Sequence, residues 1–201
     1  MIKENEYAIN KIIEVMQSKG YAFFTNGNYN LNIIGVRSNN RNANSFDDWM
    51  VLCYKVDNVW LTRIYSITTD AGTYWLKNPS DKRGTALLVP NQYRGVYAID
   101  KHRGVYDALC QRNGKVKTYR DNDKDIILDM DKSTITEGFY GINIHRSNPY
   151  NESVSVDKWS AGCQVFANPK DFDQFMSICN KSRDLYGNKF TYTLLLEEDF
   201  N

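Results

Sequence analysis

The chain has little histidine, with two among 201 residues, and only four cysteines and four prolines. None of the spacings among Cys53, Cys110, Cys163 and Cys179 is Cys-x-x-Cys, and with His102 and His145 alone a structural zinc set is not expected. No metal and no cofactor is implied. Neither sign of charge is in excess: 25 Lys and Arg against 24 Asp and Glu leave a net +1. That balance argues against nucleic acid as a partner held by bulk electrostatics. No apolar run approaches the roughly 18 residues that span a bilayer, so no membrane insertion is expected. The opening segment, MIKENEYAINKIIEVMQSKG, is charged from residue 3 and lacks the apolar core of a secretory signal. Synthesis in a reducing cytoplasm, with all four thiols unpaired, follows as the expectation.

What the chain does have is β-forming. Fourteen Tyr and nine Phe fall mostly in short apolar runs broken by Asn, Gly and Asp. The runs at Leu31–Val36, Trp49–Lys55, Val59–Ser66, Thr85–Val89, Phe139–His145 and Phe190–Leu196 predict strands. Ile9, Ile12, Ile13 and Met16 have helical period, with Gly20 as the terminating glycine. A second helix is signalled by Asn168 as cap, Pro169 in the first turn, the stripe Phe172, Phe175, Met176 and Cys179, and Gly187 past its end. The reading is one β-dominated α+β domain over 1–201, with 1–50 (helix and first strands) as an accessory subregion beside a core at 51–201.

One stretch carries chemistry. In GFYGINIHRSN, Tyr140, Ile142 and Ile144 alternate with Gly141, Asn143 and His145, so His145 shares a face with small and polar residues. After fourteen intervening residues, 146–159, comes Ser160-Ala161-Gly162-Cys163. A thiol is a useful nucleophile only as thiolate, which calls for a base at hand. His145 is the better candidate. His102, between Lys101 and Arg103, reads as a solvated loop residue. Gly162 lets the backbone come close to a substrate and aim its N–H groups at a developing oxyanion. Cys53, Cys110 and Cys179 read as packing residues.

This arrangement resembles the L,D-transpeptidase (YkuD-like) catalytic domain, whose signature is a histidine followed at about this distance by Ser/Thr-His-Gly-Cys. The layout agrees from about Val59 to Cys163, the specific motif only from His145 to Cys163. The resemblance implies a mixed β-sheet sandwich and a cysteine acyl-transfer enzyme acting on peptidoglycan stem peptides. In it Cys163 is acylated, His145 is the base, and the Arg146 carbonyl orients the imidazole. The Gly162 and Cys163 N–H groups form the oxyanion hole, and Ser160 supports the loop. Ala161 replaces the family's second histidine, Val165 a frequently polar residue, and Arg146 the small residue after the first histidine. The SAGC variant, with the Asn- and Tyr-rich composition, is similar to phage-encoded members. Together with the absence of an export signal this favours a hydrolase, an endopeptidase or carboxypeptidase of lytic type that reaches the wall after lysis or with a virion.

Trp159, beside the catalytic loop, and Tyr140 are expected to bind substrate, with Trp75, Tyr93 and Tyr97 as further aromatic candidates. Arg94 and Arg146 are candidates for pairing with stem-peptide carboxylates. Three other functions compete: a cross-linking transpeptidase, a non-catalytic wall-binding or virion structural protein on a degenerate fold, and a cysteine protease unrelated to the wall. Asp121, Asp123, Asp125 and Asp129 invite a calcium loop, but Ile126 and Lys132 stand where Gly and Glu are required, so a solvated acidic turn is expected. Asp47 and Asp48 form a carboxylate pair that reads more simply as a strand-entry turn than as a glycosidase site.

Overall fold

The computed structural model describes residues 9–201. In chain order the elements are α1 (Ile9–Ser18), β1 (Asn32–Arg37), β2 (Asp48–Val56), β3 (Val59–Thr68), α2 (Thr73–Lys77), β4 (Thr85–Leu88), β5 (Asn91–His102), β6 (Tyr106–Gln111), β7 (Val116–Asp121), β8 (Thr136–Gly138), β9 (Ile144–Arg146), β10 (Gln164–Phe166), α3 (Pro169–Tyr186) and β11 (Phe190–Leu196). The fold is α+β and β-dominated. Among the described residues eight strands close into a barrel in the order β1-β11-β5-β6-β9-β10-β3-β2, and β4-β7-β8 form a separate sheet. The pairings are mixed, parallel at β1–β11 and β9–β10 and antiparallel elsewhere in the ring.

A closed ring thus stands where two stacked layers were expected. β5 is the reason. Its first half pairs with β11 and its second half with β6, and the register shifts between Phe190 and Tyr192. A bulge of this kind bends a strand and lets one sheet turn back on itself. β1, assigned from sequence to an accessory subregion, is a stave of the barrel between β2 and β11.

β1 carries the apolar run Ile33–Val36, and Asn32 and Arg37 at its ends are buried as well, because both its faces are covered. Ile33 points into the barrel core with Leu52, Tyr97, Leu109, Ile144, Phe166 and Tyr192. Its neighbour Ile34 joins Val36, Val51 and Cys53 beneath Ile12, Val15 and Met16 of α1. Phe172, Phe175, Met176 and Cys179 of α3 add to the first core. The caps of α3 are those expected: Asn168 accepts from the Lys170 N–H at 2.9 Å, and Gly187, at φ 84°, donates to the Arg183 carbonyl at 2.8 Å.

The strand expected over Phe139–His145 is shortened to β9. Gly141 lies at φ 68°, and the Gln111 side-chain carbonyl takes the Tyr140 and Ile142 N–H groups at 3.1 and 3.2 Å. A side chain replaces the ladder there, leaving an irregular run beside β9 that can shape a site.

Candidate active site

β9 and β10 are short parallel neighbours, with Ile144 opposite Gln164 and His145 opposite Val165. One step earlier the Gln164 N–H donates to the Asn143 carbonyl at 2.9 Å, so Cys163 stands beside Asn143. Strand alternation sends Ile144 and Phe166 into the barrel core and puts Asn143, His145 and Cys163 on the opposite face. His145 and Cys163 are diagonal neighbours across two parallel strands, and each keeps its own hydrogen-bond partners.

His145 is held from behind. Its Nδ1 lies 2.8 Å from the Arg146 carbonyl oxygen and 3.3 Å from the Tyr106 hydroxyl, and that hydroxyl donates to the same carbonyl at 3.2 Å. A carbonyl only accepts, so Nδ1 carries the proton and Nε2 keeps its lone pair. The Arg146 guanidinium lies over the Tyr106 ring at 4.2 Å, which steadies the residue supplying that carbonyl.

The thiol has its own partners. The Asn143 N–H donates to Cys163 Sγ at 3.4 Å, and the S–H donates to the Gly141 carbonyl at 3.4 Å. Cys163 is half-buried, whereas Cys53, Cys110 and Cys179 are buried. Burial pushes the Cys163 thiol up to about 11, against the Asn143 N–H and the Arg103 charge, which pull it down. Burial, then His102, draws His145 down to about 3, with the Arg146 carbonyl opposing. The resting pair is therefore neutral thiol and neutral imidazole.

The loop before the thiol is tied by Ser160. Its hydroxyl donates to the Cys163 carbonyl at 2.8 Å and accepts the Gly162 N–H at 3.1 Å. That second bond corrects one expectation: the Gly162 N–H is engaged and does not point at an oxyanion. The Cys163 N–H remains as the backbone donor next to the thiol. Gly162 sits at φ 114°, and a Cβ there would collide with the Ala86 carbonyl oxygen.

Two residues that border the thiol and His145 were missed from sequence. His102 is not a solvated loop residue. It is 6% exposed and its ring stacks on His145, centroids 4.0 Å apart. The turn at Arg103 and Gly104, both at positive φ, folds Tyr106 back opposite His102 and draws the ring inward. Burial and the charges of Arg103, Arg112 and Arg146 lower it to about 4. Asn143 is the second. Its Oδ1 accepts the Gln111 N–H at 2.9 Å, which turns its Nδ2 toward His102 Nδ1 at 3.1 Å. His102 therefore accepts at Nδ1 and is protonated at Nε2. One asparagine links the thiol through its backbone to the second histidine through its side chain.

Two clefts border this constellation. One, of about 250 Å³, is lined by His145, His102, Arg146, Lys158 and the 39% exposed Trp159. The other, of about 170 Å³, is lined by Tyr140, Ala161, Arg120 and Trp75. Tyr140, Arg146 and Trp159 thus lie at the site. Arg94 does not: it is an exposed residue of β5 eight positions from His102, about 25 Å along a strand. Tyr93 and Tyr97 are buried core residues.

The remaining candidates are local structure. Asp123 and Asp125 accept the Asp125 and Ile127 N–H groups, and Asp121 accepts that of Asp129. Asp48 is buried and takes the Ser38 and Thr69 N–H groups and the Thr69 hydroxyl, while Asp47 takes the Asn40 amide. Among the described residues no group of three or more His, Cys, Asp or Glu is placed to hold a metal, and no helix is long and apolar enough to cross a membrane.

Set against family models, curated proteins and solved structures, the chain has no match. Local geometry and chemistry therefore carry the functional reading.

Proposed function

We propose that the chain is a cysteine-nucleophile acyl-transfer enzyme of L,D-transpeptidase type, acting hydrolytically on peptidoglycan stem peptides. The observation that carries this reading is the fixed His145 tautomer, Nδ1 on the Arg146 carbonyl at 2.8 Å, on the same face as Cys163. A backbone carbonyl here takes the orienting role that a carboxylate fills in other nucleophile–histidine sites.

The chemistry runs in two halves. Sγ attacks the peptide carbonyl carbon as its proton passes to His145 Nε2. The Arg146 carbonyl and Tyr106 hydroxyl hold the imidazolium through Nδ1–H. The oxyanion is met by the Cys163 N–H and, as sulfur shifts toward carbon, by the Asn143 N–H. The leaving amine takes the proton from Nε2 and departs, giving a thioester on Cys163. His145 then removes a proton from water, hydroxide adds to the thioester, and the free acid leaves as the thiol is reprotonated.

Support for water as acceptor is the similarity of SAGC to phage-encoded lytic members, which would act at the bacterial wall. An amine acceptor on the same thioester would give a cross-link instead. Mass analysis of muropeptides after incubating purified sacculi with the protein and with Cys163→Ala decides among them. Shortened or uncrosslinked stems from the unmodified protein alone are the expected result. New dimers would make it a transpeptidase. No change on walls of several chemotypes would leave a wall-binding or structural role.

A further inference from the structure

The smaller cleft is built for an anion. Two of its walls adjoin the thiol: Tyr140 precedes Gly141, whose carbonyl takes the Cys163 S–H, and Ala161 precedes Gly162. Asp81, also on the lining, pairs with Arg83 at 2.5 Å and reaches Arg120 at 3.7 Å. Two guanidiniums therefore share one carboxylate, and of these groups Asp81 and Arg120 line the cleft.

Arg120 is the informative residue. It is 7% exposed. Its Nε donates to Thr136 Oγ1 at 3.0 Å and its Nη1 to the Gly84 carbonyl at 3.4 Å, while the Tyr140 ring packs 4.3 Å from the guanidinium carbon and sets its plane. Nη2 is buried without any acceptor. The charge itself is paired with Asp81 and touches the Tyr140 hydroxyl, but native folds seldom leave a buried donor atom without an acceptor, because its desolvation goes uncompensated. A planar guanidinium with a vacant position is suited to a carboxylate. Ala161 leaves the space open, since any larger side chain there would project into it.

We propose that this cleft is a carboxylate-recognition subsite for the peptide that acylates Cys163, with Arg120 as its anchor. The identity of that peptide rests on the function proposed above; the carboxylate chemistry does not. In a stem peptide the carboxylate is either the C-terminal one or the free one of the glutamyl residue.

Binding to the Cys163→Ala protein tests this without turnover. The probes are the tetrapeptide L-Ala–γ-D-Glu–L-Lys–D-Ala and its forms amidated at the C-terminus, at the glutamyl carboxylate, or at both, titrated by calorimetry or NMR. The doubly amidated form is expected to bind at least about tenfold more weakly than the free acid, as for loss of one charge-assisted pair. The single amides name the source. Adding Arg120→Gln should abolish the preference. Should that variant fail to fold, Ala161→Leu, which fills the cleft and spares the guanidinium, should do the same. Equal binding of free and amidated peptides, no binding of either, or a preference surviving both variants overturns the subsite. Carboxylate-selective binding without Cys163-dependent release from sacculi would keep the subsite and remove the hydrolase. Release indifferent to amidation would do the reverse.

Discussion

His102 and His145 lie face to face, their ring centroids 4.0 Å apart and their planes 22° from parallel. Neither ring has room to be charged beside the other. Burial lowers both, to about 4 and about 3, from an ordinary value of 6.5. Each binds a proton more readily in the unfolded chain. The stability they contribute is therefore complete above about 6.5 and is lost as pH falls toward 4 and 3.

That linkage makes the first prediction. Below pH 6.5 the unfolding free energy of the unmodified protein should fall relative to that of His102→Phe, which keeps a ring on His145 and should flatten the histidine share of the pH dependence. The flattening is at most about 1.4 kcal/mol per pH unit before solvent screening is discounted. Urea titrations of both proteins at intervals between pH 4 and 7 would measure it. Parallel curves would show that His102 does not titrate with folding.

Alkylation reads the state of the nucleophile. With the thiol pushed up to about 11 and the other three cysteines buried, iodoacetamide should modify Cys163 alone in the folded protein. The rate should climb about tenfold per pH unit from neutrality to about pH 10, following the thiolate fraction. A plateau at neutral pH would mean a preformed thiolate–imidazolium pair. Peptide mass mapping identifies the site.

Asn143→Ala leaves the Gln111 N–H without its acceptor and His102 Nδ1 without its donor. The expected cost is about 1–3 kcal/mol of stability for the buried N–H, together with a drop in kcat. The backbone N–H toward Cys163 survives the substitution, so alkylation of Cys163 should continue. Complete loss of Cys163 reactivity in a folded variant would give the side chain a direct role at the thiol.

Gly162→Ala combines a left-handed φ of 114° with a collision against the Ala86 carbonyl. We expect a loss of at least about 1–3 kcal/mol, from backbone strain alone, and loss of Cys163-dependent release even where the protein still folds. Thermal melts with muropeptide analysis check both. Wild-type activity in this variant would remove the loop geometry from the mechanism.

What could be read from the chain is what depends on neighbours a few residues apart. Asn168, Pro169 and Gly187 delimit α3 through their own backbone preferences. The apolar run Ile33–Val36 within β1 records burial on both faces. The alternation in GINIH separates Ile144 from His145, and the spacing to Cys163 brings two adjacent strands into view. Even the hairpin that turns His102 inward had a signal, since Arg103-Gly104 lies between two runs capable of pairing. Its charged neighbours masked it.

The rest was decided by closure of the barrel. Which residues of β5, β6 and β9 meet depends on register around a ring, and register is a property of all its strands together. The sequence alone marked α1, α3, β1 to β4 and β11, and picked out His145 and Cys163 as a candidate pair, while the family resemblance pointed to the Arg146 carbonyl. Only the tertiary structure put His102 on His145, turned Asn143 between them and the thiol, engaged the Gly162 N–H with Ser160, and set Arg120 rather than Arg94 beside the loop that carries Cys163. Those contacts join residues distant in the chain, and no local preference encodes them.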